Sequence, residues 1–264
     1  MPTFDTPEPI TAEINLVFGA VQINAGDRSD TAVEVRPRDP AKDADVRAAE
    51  QIRIEYADGR LLVEDPATTG LGRLLRKGVA DVTVDLPTGS QIQASTRDAN
   101  IRCEGTLGAS KLTASSGNIA LDRLTGSAEL TSTHGWIRAR EIDGSAAVKT
   151  SNGAITLGTV TGRLRMKSAH GDITAERPLA SVEARTAHGN VRTGELVRGR
   201  ADLKTSYGEL EIGIREGTAA WLDVGSKHGS VSSSLESAED PGTAEETAEV
   251  RAHSVYGDIV VRRA

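Results

Sequence analysis

Hydrophobic and polar residues alternate along this chain in short runs that return at a fixed spacing. The clearest copies lie between Ser115 and Gly208, and each has a glycine at its turn. These glycines follow one another every 18 residues, with a last step of 19, at Gly117, Gly135, Gly153, Gly171, Gly189 and Gly208. A second series divides each repeat into arms of nine residues, at Gly108, Gly126, Gly144 and Gly162. Repetition at a fixed period is typical of a solenoid, in which every repeat packs on its neighbours.

The second, fourth, eleventh and thirteenth residues after each turn glycine are mostly aliphatic. After Gly153 they are Ile155, Leu157, Leu164 and Met166. Because alternate side chains of a strand point to opposite faces, these positions predict inward columns that continue from one repeat to the next. Cys103 stands in one such column, and we predict that it is a buried small hydrophobic residue rather than a nucleophile.

A left-handed helix of hexapeptide repeats, the acyltransferase fold, would also have coils of this length. It requires an aliphatic residue at every sixth position, but steps of six from Ile137 reach Asp143 and Lys149. These charged residues disfavour it. The sequence therefore predicts an all-β chain that forms a single-stranded, right-handed β-solenoid (β-helix) with 18-residue coils.

The first third of the chain is less regular. Strands are predicted within residues 11–37, and Asp58-Gly59 indicates a hairpin in the run IRIEYADGRLLVED. Residues 41–50 are polar and predict a loop or a single helical turn. We expect residues 1–80 to form an irregular β-rich cap, and residues 81–264 to form the regular solenoid of one continuous domain.

Two segments interrupt the alternation. Residues 68–78, TTGLGRLLRKG, predict either a surface loop or short helix on the stack, or an amphipathic segment for a membrane surface or partner. The run LESAEDPGTAEETAE predicts a solvated acidic loop. HSVYGDIVVRR then restores the repeat, and we expect Arg262 and Arg263 to charge the last coil against end-to-end pairing.

Composition narrows the classes of function. A formal charge of -7 argues against a general nucleic-acid binder, which needs a basic surface. The single cysteine excludes an internal disulfide. MPTFDTPEPITAE lacks the basic and apolar regions of a signal peptide, and no apolar window is long enough to span a membrane. We expect a cytoplasmic chain with no transmembrane segment.

Small hydroxyl residues recur three positions before the turn glycines. They predict an inward ladder that bonds the turning backbone, with an exposed ice-binding or glycan-binding array as the alternative. The members are Thr96, Ser132, Thr150, Ser168, Thr186, Thr205, Ser226 and Ser254.

Four of the five histidines stand immediately before a turn glycine. His170 and His188 are the candidate metal ligands, because successive coils lie about 4.8 Å apart. The other interpretation is a tight turn, since His, Asn and Ser all tolerate positive φ before glycine. No carboxylate or thiolate column adjoins them in the sequence, so we predict neither metal nor cofactor.

Four successive coils carry a basic residue at the same outward position. These residues, here called the basic row, are Lys149, Lys167, Arg185 and Lys204. Unit charges about 4.8 Å apart repel by roughly 0.9 kcal/mol in water. The row is therefore a solvated face offset by acids such as Glu129, Glu183 and Asp202, or it contacts an acidic partner or anionic polymer. Trp136 is a candidate stacking platform for a sugar, whereas Trp221 is expected to cover the irregular end.

The repeat TSNGAITLGTVTGRLRMKSAHGDI resembles that of the DUF4097 family of bacterial β-strand-repeat proteins, candidate adhesins of unknown function. The resemblance spans essentially the whole chain, including VTVDLPTGS and VYGDIVVRR. It implies a β-solenoid and a surface or envelope-associated binding role, and it supplies no catalytic residues.

Two hypotheses of function follow. The first is a non-enzymatic scaffold that binds a protein partner or self-associates. The second is an anion or glycan binder that uses the basic row. An enzyme is disfavoured because the outward acids Asp122, Glu176 and Glu211 are scattered, and no phosphate loop, nucleophile elbow or zinc motif occurs.

Overall fold

Short parallel strands joined by turns make up almost all of the computed structural model, which describes residues 1–66, 78–235 and 246–264. Its contacts divide the chain into two units, Met1–Gly135 and Trp136–Ala264. The change of regularity predicted near residue 80 lies inside the first unit and stays a prediction. Residues 68–77 and most of the acidic run, residues 236–245, lie outside the described residues, and so do the predictions made for them.

The described residues of the first unit form ten strands and one helix. They are β1 (Thr3–Asp5), β2 (Thr11–Gly26), β3 (Asp30–Pro37), α1 (Asp43–Glu50), β4 (Arg53–Ala57), β5 (Arg60–Glu64), β6 (Ala80–Pro87), β7 (Gln91–Leu107), β8 (Ser110–Ser116), β9 (Ile119–Thr125) and β10 (Ala128–His134).

Two long strands, β2 and β7, each pass through a corner and contribute to both sheets of this unit. One sheet has the order β4-β5-β2-β7-β8-β10, and the other has the order β1-β3-β6-β2-β7-β9. Among the described strands of this unit, all pairs are parallel except those that β4, β3 and β1 make at the outer edge. An antiparallel rim ends the parallel stack on this side.

The local predictions for the first third are confirmed, with one extension. Strands β2 and β3 lie within residues 11–37, and Asp58 and Gly59 both have positive φ, 50° and 74°, in the β4–β5 hairpin. The polar segment that was predicted as a loop or one helical turn is the two-turn helix α1, which packs on β3 and β6. The buried Asp45 carboxylate anchors this helix by accepting the backbone N–H of Val79 at 2.9 Å.

Thirteen strands lie in the part of the second unit that the structure describes. They are β11 (Ile137–Asp143), β12 (Ala146–Asn152), β13 (Ile155–Val160), β14 (Leu164–Lys167), β15 (Ile173–Pro178), β16 (Val182–Arg185), β17 (Val191–Leu196), β18 (Gly199–Tyr207), β19 (Leu210–Ile214), β20 (Thr218–His228), β21 (Val231–Ser233), β22 (Glu246–Tyr256) and β23 (Ile259–Arg263).

These strands form two parallel sheets, and each 18-residue coil adds one strand to both. We call one such pair of strands a rung. The sheet orders are β11-β13-β15-β17-β19-β23-β21 and β12-β14-β16-β18-β22-β20. The predicted β-solenoid is confirmed in both units.

The prediction that HSVYGDIVVRR forms the last rung is wrong. Strands β22 and β23 lie between the rung β18–β19 and the rung β20–β21. Arg262 and Arg263 therefore belong to an internal rung, where Arg262 pairs with Glu211 at 2.8 Å. After β19 the chain leaves one rung position empty and forms β20 and β21 beyond it, and then β22 and β23 fill that position. This is possible because the edge of a parallel sheet can pair with a strand from any later part of the chain.

Aliphatic side chains fill the space between the two sheets in the predicted columns. Residues at the second position after a turn glycine are almost fully buried at Ile119, Ile137, Ile155, Ile173, Val191, Leu210 and Ile259, whereas Val231 on the last rung is 45% exposed. Burial of one such side chain contributes about 1.5–3 kcal/mol. Cys103, opposite Ile23 and Leu121, is 3% exposed, as predicted.

The turns require glycine for two reasons, as Gly171 illustrates. Its φ is +148°, which side chains rarely adopt, and an added Cβ would contact the carbonyl oxygen of Gly153 in the neighbouring rung. The repeat therefore keeps glycine where backbones of successive rungs approach each other most closely.

Candidate binding face

The hydroxyl residues before the turns form the predicted inward ladder. Ser132, Ser168, Thr186, Thr205, Ser226 and Ser254 each donate to the carbonyl of a turn glycine in the adjacent rung, at 2.8–3.3 Å. Thr96 instead donates to the carbonyl of Ala99 at 3.1 Å. Because all of these residues except Ser226 are buried, the ladder satisfies backbone carbonyls and is not an exposed ligand array.

Asn and Asp residues just after the turn make a second ladder, which the sequence analysis missed. Asn190 Oδ1 accepts the backbone N–H of Glu209 at 2.8 Å, and Asp172 Oδ1 accepts that of Asn190 at 2.8 Å. Asp258 accepts the backbone N–H of Ser230 at 2.7 Å, which lowers the pKa of its carboxyl group. The recurrence of Asn and Asp after glycine was the signal. These side chains, too, belong to the scaffold.

The residues immediately before the turns bring five rings of the second unit into one face-to-face stack. Neighbouring ring centroids are 4.6–5.0 Å apart and the interplanar angles are 3–13°. In spatial order the stack, here called the ring column, is His170, His188, Tyr207, Tyr256 and His228. All five residues are exposed.

The sequence pattern predicts this column of residues but not the stacking of its rings. One ring per rung at the same position, with rungs about 4.8 Å apart, was a sufficient signal for stacking. The order of the rings could not be predicted from the sequence. Tyr256 lies between Tyr207 and His228 only because β22 returns to a position between β18 and β20.

The metal candidates His170 and His188 face each other with a centroid distance of 4.9 Å. Within the described ranges, no group of three or more His, Cys, Asp or Glu side chains could hold a metal ion. The ring faces are used for stacking, and their edges remain for contact with other molecules.

The four residues of the basic row lie in register on β12, β14, β16 and β18. Arg185 contacts Glu183 at 3.2 Å and Asp202 at 3.5 Å, and Lys204 contacts Asp202 at 3.5 Å. Glu183 and Asp202 thus offset one half of the row, as the sequence suggested.

The charges of Lys149 and Lys167, the other two residues of the basic row, are not offset by Glu183 or Asp202. Glu129, the third suggested acid, contacts Lys111 at 3.1 Å within the first unit. In the part of the chain that the structure describes, Lys149 and Lys167 have no ion pair, and both are exposed. Two adjacent lysines therefore carry uncompensated positive charge on one sheet face.

The basic row and the ring column follow the rungs side by side, and we call the strip of surface between them the trough. The two lines are three residues apart in each rung, or about 10 Å if the chain is extended there. His170 and His188 lie just beyond the ends of β14 and β16. Half-buried small side chains form the floor over four rungs, at Ser151, Ala169, Ala187 and Ser206, and Val255, which is 38% exposed, lies beside Tyr256 on the next rung. Cationic groups line one wall, and Asn152 and the rings of His170, His188 and Tyr207 line the other.

Two other surfaces of the second unit are weaker candidates for a binding site. A groove of about 590 Å³ near Arg163 and Ser181 contains Arg200, whose guanidinium is already held by Glu249 at 2.7 and 2.9 Å. Trp136 is 41% exposed with the Arg138 guanidinium 5.5 Å from its ring centroid. Trp221 lies on β20, the edge strand of its sheet, and is 58% exposed, and its role in covering the irregular end stays a prediction.

The sequence from residue 13 to residue 262 matches the Toastrack DUF4097 family. The chain belongs to this family. No curated protein matches the sequence. Among solved structures, a candidate lipid-binding protein from Parabacteroides distasonis is similar to this Toastrack chain with a TM-score of 0.52 and 13% identity, covering 100% of this chain and 96% of that one. That likeness supports the Toastrack fold alone.

A candidate adhesin from Bacteroides fragilis aligns with a TM-score of 0.47 and 13% identity, covering 98% of this chain and 95% of that one. In the described part of the Toastrack chain, no helix is both long and apolar enough to cross a bilayer.

Proposed function

We propose that this Toastrack protein is a non-enzymatic interaction module that holds an extended anionic partner along the rungs of its second unit. The observation that carries the proposal is the alignment of the basic row, in which Lys149 and Lys167 are exposed and in register. An extended polyanion places charges at intervals along a line, and a stack of parallel strands presents cations in the same way.

The ion pairs of Arg185 and Lys204 explain why the proposal assigns anion binding to Lys149 and Lys167. Arg185 and Lys204 share the carboxylate of Asp202, so an anion would compete with an existing ion pair there. At Lys149 and Lys167 an incoming anion relieves repulsion between like charges instead.

Charge reversal at these two positions tests the proposal. We expect Lys149→Glu with Lys167→Glu to abolish binding of poly-L-glutamate, measured by titration calorimetry at low salt. The matched control is Lys42→Glu with Lys111→Glu, which makes the same change of net charge in the first unit, where both lysines are exposed. Unchanged binding in the row variant would reject the proposal.

Self-association is the competing form of the same scaffold role. Light scattering across a series of protein and salt concentrations separates the two. Oligomers that grow without any anion and persist in the row variant would assign the role to self-assembly instead.

A further inference from the structure

We infer that the trough between the basic row and the ring column is a binding site for a linear acidic polysaccharide. This inference rests on the proposed function and specifies the chemistry of the partner. It requires a ligand that carries both negative charges and many hydroxyl groups, because the two walls of the trough offer two different kinds of contact.

The cationic wall recognises the acid groups. Lys149 and Lys167 occupy neighbouring rungs and have no ion pair within the described ranges. Their spacing of one rung, about 4.8 Å, suits a polymer whose successive units each present a carboxylate to the same side.

The ring column recognises the hydroxyl groups. Tyr207 and Tyr256 are 51% and 45% exposed, and neither phenol has a hydrogen-bond partner among the described residues. The ring nitrogens of His170 and His188 add further polar edges at the same spacing. The column therefore offers a donor or acceptor on each of its five rungs.

The stacking excludes a nucleic acid as the occupant. Bases bind single-strand proteins by stacking on exposed aromatic faces. Here the faces between His170 and His228 are covered by neighbouring rings at 4.6–5.0 Å, so no base can insert. A saccharide needs only the ring edges, through hydrogen bonds.

The floor disfavours a peptide. Peptides held in an extended conformation are recognised through backbone pairing and through pockets for alternate side chains. Ala169 and Ala187 form a floor of small residues without such pockets, and the strands beneath are already paired on both edges. A narrow polymer that lies flat along the trough fits this surface.

The test compares two polyanions with the same number of carboxylates, oligogalacturonate and poly-L-glutamate, by titration calorimetry at one salt concentration. We expect oligogalacturonate to bind at least ten-fold more tightly, because only the saccharide can use the ring edges. Tyr207→Phe with Tyr256→Phe keeps the stack and the charge but removes both hydroxyls. It should weaken oligogalacturonate binding about ten-fold and leave poly-L-glutamate binding unchanged.

Tyr56→Phe, on β4 of the first unit, is the matched control and should change neither affinity. Equal affinity for the two polymers, or an unchanged affinity of the double phenylalanine variant for oligogalacturonate, would overturn the inference. Tighter binding to phosphatidylglycerol vesicles than to oligogalacturonate would also overturn it.

The measurements distinguish a wrong polysaccharide assignment from a wrong proposed function. If poly-L-glutamate binding depends on Lys149 and Lys167 but the saccharide gains nothing, only the polysaccharide assignment is wrong. If neither polymer binds, or if reversal of the two lysines has no effect, the proposed function fails together with the inference.

Discussion

The Thr205 hydroxyl donates a 2.9 Å hydrogen bond to the carbonyl oxygen of Gly189, the turn glycine of the neighbouring rung. Thr205→Val keeps the shape of this side chain, which is 4% exposed, but leaves that carbonyl without its donor. We expect a loss of about 1–3 kcal/mol in the free energy of unfolding by urea. Thr205→Ser retains the hydroxyl and should retain most of the stability. Equal effects of the two variants would show that packing, not the bond, matters.

The same substitution should have the opposite effect at Thr193. This side chain is fully buried between Ala175 and Ile212, and its hydroxyl has no partner in the described part of the chain. Thr193→Val should stabilise the protein by about 1–3 kcal/mol in urea unfolding, because an unbonded buried hydroxyl is replaced by a methyl group. Thr193→Ser, which keeps the hydroxyl and loses the methyl, should destabilise it. A destabilised valine variant would contradict the expectation.

Gly171→Ala is expected to disrupt the stack. The new Cβ would clash with the Gly153 carbonyl oxygen, and the φ of +148° would be strained for alanine. We expect a loss of at least about 3 kcal/mol, seen as a lowered Tm or as insoluble protein. Gly26→Ala, where an added Cβ has nothing within 4 Å, is the control and should be close to neutral.

The returning rung makes stability near the end of the second unit depend on residues far away in sequence. Removal of residues 246–264 takes away β22 and β23, which provide all the described pairing of β20 and β21. We expect amides of β20 to lose their protection from hydrogen exchange in this shortened chain, while those of β13 keep theirs. Retained protection in β20 would mean that it can pair directly with β18.

Cys103 should be unreactive in the native protein. Burial raises the pKa of its thiol from 9.0 to about 12, so the thiol keeps its proton at pH 8 and thiol reagents should modify it only after unfolding. Unfolding between pH 9 and 12 releases this proton, so the native state loses up to about 1.4 kcal/mol per pH unit over that range. Cys103→Val should remove this part of the alkaline dependence in urea unfolding. Rapid modification of the native thiol would contradict the prediction.

The repeating core was predictable because its determinants are local. Alternation placed Ile155 and Leu157 on the inner side of one strand, and the 18-residue period placed Ile137 and Ile173 above and below Ile155. The hydroxyl ladder and the glycine turns followed from the same register. Each of these predictions needs only the spacing of residues within one repeat and the rule that repeats stack in parallel.

The candidate face was predictable as a set of positions but not as a set of contacts. The basic row and the ring column both follow from the period. Which lysines are offset by Asp202, and which ring lies beside Tyr207, depends on side-chain distances between rungs. The sequence offered several acids within reach and no means of choosing among them.

The sequence by itself determined the β-solenoid, the inward columns and the residues that every rung presents outward, because period and alternation act within each repeat. Only the tertiary structure decided the order of the rungs at the ends, where β22 returns between β18 and β20. The reason is physical: parallel edges accept any strand of matching pattern, so the spatial order depends on which pairing buries the core, and not on the order along the chain.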